Sequence, residues 1–295
     1  MPPVTLALVA ALAAPPPPHP SPTQLLEQSA PSDWRPLDPE STLYLDLPRG
    51  RVVIELAPAF APRHVANLRT LAREKYFDGL AVVRAQDDYV VQWADPAADD
   101  PKKARPLGQA RAKLPAEFVR PAAGLAFTRL PDPDTYAPET GFADGFPAAR
   151  DPRSGEAWLV HCYGAVGAGR DMAKDSSNAS ELYAVIGQSP RHLDRNITLV
   201  GAVRSGMELL STLPRGHGAL GFYEKPSEQT PIVSVRLAAD VPPAQRTPLE
   251  VLRTDTPFFQ RYLDARRNRR DAWFVEPVGR VELCNVPIPA RPSAR

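Results

Sequence analysis

Ten residues, Val83-Arg84-Ala85-Gln86-Asp87-Asp88-Tyr89-Val90-Val91-Gln92, constrain this chain more than any other stretch of it. They read as strand, turn, strand, with a polar break between two apolar runs. A reversal centred on Asp88 sets Arg84 opposite Gln92 across an antiparallel pair, on one face. By the period of two, Val82, Gln86 and Val90 join that face. A fixed guanidinium beside an amide that both donates and accepts, set among apolar neighbours, makes a surface for a peptide bond. The segment offers no nucleophile.

Periodicity organises the chain around this hairpin. Thr42–Leu47 and Arg51–Leu56 alternate as two strands about Pro48-Arg49-Gly50. From Pro62 to Glu74, Val65, Leu68, Leu71 and Ala72 recur at helical spacing, with Pro at the start, where its missing N–H costs nothing. Further strands are expected at Gly124–Arg129, Ala157–Cys162, Leu182–Ile186, Ile197–Val203 and Ile232–Leu237, and a second helix at Met207–Leu213. Leu249–Arg270 has helical character and ends in a basic cluster. That cluster reads either as a solvated helix face or as a dock for an acidic partner or an anionic membrane surface. Gly279–Cys284 reads as a last strand packing back on the main body.

The order Arg84, Tyr89, Val90, Gln92 resembles the active-site hairpin of cyclophilins, the peptidyl-prolyl cis-trans isomerases. Two later blocks extend the resemblance in family order. Ser180-Glu181-Leu182-Tyr183 looks like the family's Ser-Gln-Phe-Phe strand, and Leu193-Asp194-Arg195-Asn196-Ile197-Thr198-Leu199-Val200-Gly201 looks like its Leu-Asp-Gly-Lys-His-Val-Val-Phe-Gly. The resemblance runs roughly from Thr42 to Val241. It implies a mainly β fold, a closed antiparallel β-barrel capped by two α-helices, and an isomerase that turns X-Pro bonds without a cofactor. It also implies roles. Arg84 and Gln92 become the catalytic pair, and Tyr89, Val90, Tyr183, His192, Leu193 and Ile197 the residues around the proline.

The chain also departs from that pattern. Val82-Val83 stands for Phe-His before the Arg, Trp93-Ala94 for Gly-Gly after the Gln, His192 for a Trp, and Ile197 for a His. No clean counterpart of the family's Ala-Asn-Ala stretch lies near His161-Cys162-Tyr163-Gly164. Retained Arg84 and Gln92 favour a working isomerase. Val83, Trp93 and Ile197 favour a second reading, a catalytically weak peptide-binding or scaffolding module on the same barrel.

Composition bounds the rest. The chain has 295 residues and a formal charge of +1, so there is no electrostatic reason to expect nucleic acid. Pro supplies 36 residues, far above the ordinary share of about 5%. The expected layout is a signal peptide at 1–14, a Pro-rich linker at 15–41, the isomerase domain at 42–241 with an insertion at about 96–156, and a C-terminal extension at 242–295 with a basic helix. The insertion reads as a plain surface addition or as a wall of the peptide groove. Val4 to Ala14 is an apolar run too short to span a bilayer, and its small residues fit a cleaved secretory signal. A periplasmic or secreted monomer acting on proline-containing polypeptides is therefore expected, with no transmembrane segment after signal removal. Cys162 and Cys284 pair only if the tail folds back across the strand holding Cys162, and are otherwise two separate buried thiols. The His and Cys residues show no metal-ligand spacing, so no metal site is expected. Gly216-His217-Gly218-Ala219-Leu220-Gly221 spells a dinucleotide fingerprint but follows a helix, without the strand-turn-helix context that binds phosphate.

Overall fold

The computed structural model describes residues 19–293. The expected signal peptide at 1–14 lies outside the described residues. The structure is mainly β and antiparallel. Its largest sheet has nine strands, in the order Thr230–Pro231, Ala81–Ala85, Val90–Ala94, Leu182–Val185, Ala165–Ala168, Leu199–Ser205, Gly50–Leu56, Thr42–Leu47, Ser234–Leu237. The first and last of these are successive pieces of one segment. Ile232 donates its N–H to the Leu80 carbonyl at one edge, and Val233 donates to Asp46 at the other. The sheet is curled about this shared segment.

Alternation explains the curl. Leu43, Leu45 and Leu47 point inward with Val52, Ile54 and Leu56 of the paired strand, and with Val91, Trp93, Leu182 and Ala184 across the sheet. The helix Pro62–Arg73 sets Val65, Leu68 and Leu71 into this core, and the short helix Met207–Ser211 adds Leu210. Two helices thus cover apolar surface that the strands leave open, as expected.

A second lobe stands on the outside of the sheet. Its own five-stranded sheet, in the order Arg120–Pro121, Glu156–Leu159, Phe146–Asp151, Glu139–Ala143, Thr128–Leu130, comes from the stretch expected as an insertion. A three-stranded sheet, Trp34–Pro36, Leu249–Leu252, Ala290–Pro292, joins the two ends of the chain. Between them lies a separate core in which Leu25, Trp34, Phe142, Trp158, Phe258, Phe259, Tyr262 and Leu283 meet. The Phe142 and Phe259 rings pack edge to face with centroids 5.0 Å apart.

Several expectations change here. The described part of the stretch read as a Pro-rich linker is structured: Pro22, Pro31 and Pro39 each stand in the first turn of a short helix, a position Pro favours. Leu249–Arg270 is not one helix. Leu249–Leu252 is a strand and the helix is Pro257–Arg267, capped by the Thr256 side chain accepting from the Phe259 N–H. Gly279–Cys284 is not a strand on the main sheet. Leu283–Asn285 forms a 3-10 turn, and Leu283 belongs to the second core. The strand expected at Gly124–Arg129 begins only at Thr128.

Cys162 and Cys284 form a disulfide across 122 residues of sequence, tying the tail to the loop after Glu156–Leu159. Buried ion networks add further stitches. Arg191 bonds Asp194 beside it, Asp134 of the second lobe and Glu282 of the tail. Glu55 on the large sheet pairs with Arg204 and with Arg35, while Arg204 reaches the Gly145 carbonyl. Buried charges without partners cost several kcal/mol, so these contacts fix how the lobes meet more than they add net stability. Most of the basic cluster is engaged within the lobe as well: Arg267 grips Asp132, Arg266 the Asn285 carbonyl and Arg269 Asp271.

Candidate active site

The hairpin Ala81–Ala85, Val90–Ala94 turns at Asp88, which takes a positive φ of 49°, and pairs Arg84 with Gln92 as expected. One expectation fails. The register shifts between Val82 and Arg84, a β-bulge that leaves Val83 unpaired. Val82 consequently shares the sheet interior with Ala85, Val91 and Trp93, while Arg84 points outward. Gln86 remains on the Arg84 side.

The Arg84 guanidinium is held at each nitrogen. Nε donates to the Leu220 carbonyl at 2.6 Å, Nη1 to Gln92 Oε1 at 2.9 Å, and Nη2 to Gln86 Oε1. The Tyr89 and Phe222 rings flank it at 5.5 and 5.3 Å. Burial makes its charge harder to keep and lowers its pKa, with Tyr89 and Glu181 acting the other way. Gln92 in turn gives its Nε2 hydrogen to the Glu181 carboxylate.

The stretch that spells a dinucleotide fingerprint is a wall of this site. Gly216 donates its N–H to Ala85, Tyr223 donates to Val83, and Arg84 bridges to Phe222. Gly221, at φ +79°, lies against Gln86, where a Cβ would stand 2.6 Å from Cα. Glycine there permits backbone to lie on backbone and aims the Leu220 carbonyl at Arg84.

The apolar residues gather beside the guanidinium. Val90 and Tyr183 are buried in one cluster with Phe146, Ala148 and Leu159 of the second lobe, with Tyr89 and Ile197 packed against it. The Tyr183 ring lies across Gly167, where a Cβ would meet the phenol at 2.2 Å. Its hydroxyl is 2.9 Å from His161 Nε2, and His161 Nδ1 is 2.9 Å from Asp194. Burial pushes the Tyr183 pKa well up, helped by Tyr89 and Asp194, so the phenol stays a neutral hydroxyl. His192 and Leu193 fall on a 3-10 turn, the first exposed and the second half-buried, and Leu193 is not part of the cluster. Among the described residues no group of three His, Cys, Asp or Glu is placed to hold a metal ion, and no helix is long and apolar enough to cross a membrane.

Sequence reasoning placed Arg84, Gln92, Tyr89 and Val90 together. It gave no role to Glu181, Phe222, His161 or the Leu220 carbonyl. Glu181 carried a signal, being a carboxylate directly before the apolar strand Leu182–Val185. The carbonyl carried none, since main-chain atoms leave no mark on residue type.

A nine-stranded curled antiparallel sheet with two covering helices and an outward Arg-Gln pair defines a class, and comparison with known proteins agrees. The family described as "Cyclophilin type peptidyl-prolyl cis-trans isomerase/CLD" matches residues 42–237. The chain belongs to this family of peptidyl-prolyl isomerases. It is 28% identical over 205 residues to a "Probable peptidyl-prolyl cis-trans isomerase" of Brucella suis, covering 69% of this chain and 85% of that one. A Brucella abortus protein of the same description is 27% identical over the same shares. Among solved structures, cyclophilin AquaCyp293 from Hirschia baltica superposes with a TM-score of 0.71 at 28% identity, over 90% of this chain and 95% of that one. That match extends beyond the family segment, over most of both lobes' residues.

Proposed function

We propose that the chain rotates X-Pro bonds in proteins outside the cytoplasm, with Arg84 stabilising the twisted amide. A peptide bond resists rotation by about 18–20 kcal/mol because its nitrogen shares a lone pair with the carbonyl. Midway through rotation the prolyl nitrogen pyramidalises and becomes an acceptor. A donor fixed at that place binds the twisted state better than either planar one.

The anchoring of Arg84 carries the reading. Leu220, Gln92 and Gln86 each take a hydrogen from a different nitrogen, which leaves one N–H on each terminal nitrogen to offer. Gln92 orients the guanidinium and contacts the substrate backbone. Tyr89, Val90, Tyr183 and Leu193 receive the proline ring, with His192 and Ile197 at the edges. The disulfide supports export, because such bonds persist in oxidising compartments. The substrates are proline-containing segments of exported polypeptides, which the chain helps to fold.

An isomerisation assay on aromatic-Pro and Ala-Pro peptides tests this. Arg84→Ala is expected to lose roughly 10²–10³ in kcat/KM with an unchanged circular dichroism spectrum. Arg84→Lys should not restore it, since an ammonium is a mobile point charge where a planar fork is needed. An Arg84→Ala enzyme as fast as wild type would end the catalytic reading. One observation favours the catalytically weak module, with the second lobe and the basic tail making the peptide contacts: Val90 is only 3% exposed beneath the second lobe and leaves little room there for a proline ring. Wild type that binds such peptides without turning them over would select it.

A further inference from the structure

We propose that Glu181 is a positioning residue of this site, fixing which way the Gln92 amide faces and thereby holding Arg84 in its aim. The inference rests on the isomerase reading of Arg84 and Gln92. An amide side chain has two ends of nearly equal size and opposite hydrogen-bonding character. Only one of its two orientations presents an acceptor to Arg84, and the other would set donor against donor. Gln92 is bonded at both ends, with Oε1 accepting from Arg84 Nη1 and Nε2 donating to Glu181. A carboxylate only accepts, so it admits the productive orientation alone. Drawing on the Nε2 hydrogen also polarises the amide and strengthens its oxygen as an acceptor for the guanidinium.

The fold builds this contact. Tyr183 pairs directly with Gln92, and Glu181, two residues earlier and just ahead of the strand Leu182–Val185, brings its carboxylate to the Gln92 amide. Gly169 donates its N–H to the Glu181 carbonyl and leaves room for the side chain, where a Cβ would stand 2.5 Å from Oε1. Among the described residues no Lys, Arg or His forms an ion pair with Glu181. Its only side-chain hydrogen bond among them is the one from Gln92.

The contact is also sensitive to pH. Burial raises the Glu181 pKa, and Asp171 and Asp99 raise it further, while Gln92 and Arg84 draw it down. Tyr76, past the end of the helix Pro62–Arg73, has its own pKa raised chiefly by burial, with the Glu181 charge a smaller contribution. Protonation supplies an O–H donor that competes with Arg84 for Gln92 Oε1. Activity should therefore fall on the acid side, through a limb lying above the ordinary glutamate range.

The test compares wild type, Glu181→Leu and Glu181→Gln by kcat and KM across pH, with circular dichroism as the control for folding. Glu181→Leu is expected to lower kcat roughly tenfold with little change in KM, the size of one hydrogen bond to a charged group. Gln at 181 carries a donor beside its acceptor, as the protonated acid does, so it is expected to hold kcat near the low acid-side value of wild type at every pH and to abolish the acid limb itself. The Gln92 side-chain amide resonances, followed by NMR without substrate, should shift with pH in wild type and stay constant in Glu181→Gln. An acid limb that persists in Glu181→Gln, or amide resonances that ignore pH in wild type, overturns the proposal even if Glu181→Leu fails to fold. Because the resonances need no turnover, an inactive wild type would end the proposed function and still leave the amide orientation to be judged.

Discussion

The strands Ala81–Ala85 and Val90–Ala94 meet through a turn of four residues, whereas Trp34–Pro36, Leu249–Leu252 and Ala290–Pro292 meet from opposite ends of the chain. Both are antiparallel and both bury aromatic side chains. The first pairing forms at small entropic cost and carries the site. The second needs long loops closed before any contact rewards them. The lobe that holds the chemistry is thus the locally encoded one. The lobe that covers its apolar flank depends on distant segments and on the only covalent crosslink among the described residues.

Breaking that crosslink should produce the largest effect. Cys284→Ser releases a loop of 122 residues, worth about 5 kcal/mol in the chain-entropy model. Hydrogen exchange should rise at Trp34–Pro36 and Leu249–Leu252 and stay low at Ala81–Ala94. Equal loss of protection in both would mean that the two lobes unfold as one unit. Phe259→Ala removes a fully buried ring from the second core and should cost about 3–5 kcal/mol. If thermal unfolding of this variant splits into two transitions with the later one unmoved, the lobes are energetically separate. A single shifted transition refutes that separation.

The smallest effect sharpens the same contrast through pH. Arg267 grips Asp132, and the Val281 N–H adds a third bond, which together hold the carboxyl below its ordinary pKa despite burial. A depressed folded pKa means that the unfolded chain takes up the proton first. The contribution is therefore complete above the unfolded value of about 3.9 and disappears as pH falls through the folded one. Stability of wild type should drop across that acid window, and Asp132→Asn should flatten part of the slope. A slope unchanged in the variant would assign acid lability to other carboxylates.

The same contrast explains what was legible. Leu43, Leu45, Val52 and Ile54 alternate because one face of each strand is inside, so the strands and their hairpin could be read directly. Arg84 opposite Gln92 followed from the turn at Asp88. Val82 did not follow, since a bulge breaks the period of two without any signature at Val83. In the second lobe, Trp34 and Leu252 belong to strands of three and four residues, too short for a period to show. Pro22, Pro31 and Pro39 looked like linker because the helical turns they start are brief. The pairing of Cys162 with Cys284 depended on a fold-back that only tertiary structure supplies.

The grip on Arg84 from Leu220 comes from a main-chain oxygen, while the Leu220 side chain is 66% exposed at the rim of the site. Aim and surface chemistry are thereby separated within one residue. Substitutions at 220 could retune which sequences flank an acceptable proline, while the atom that holds the guanidinium passes unchanged from variant to variant.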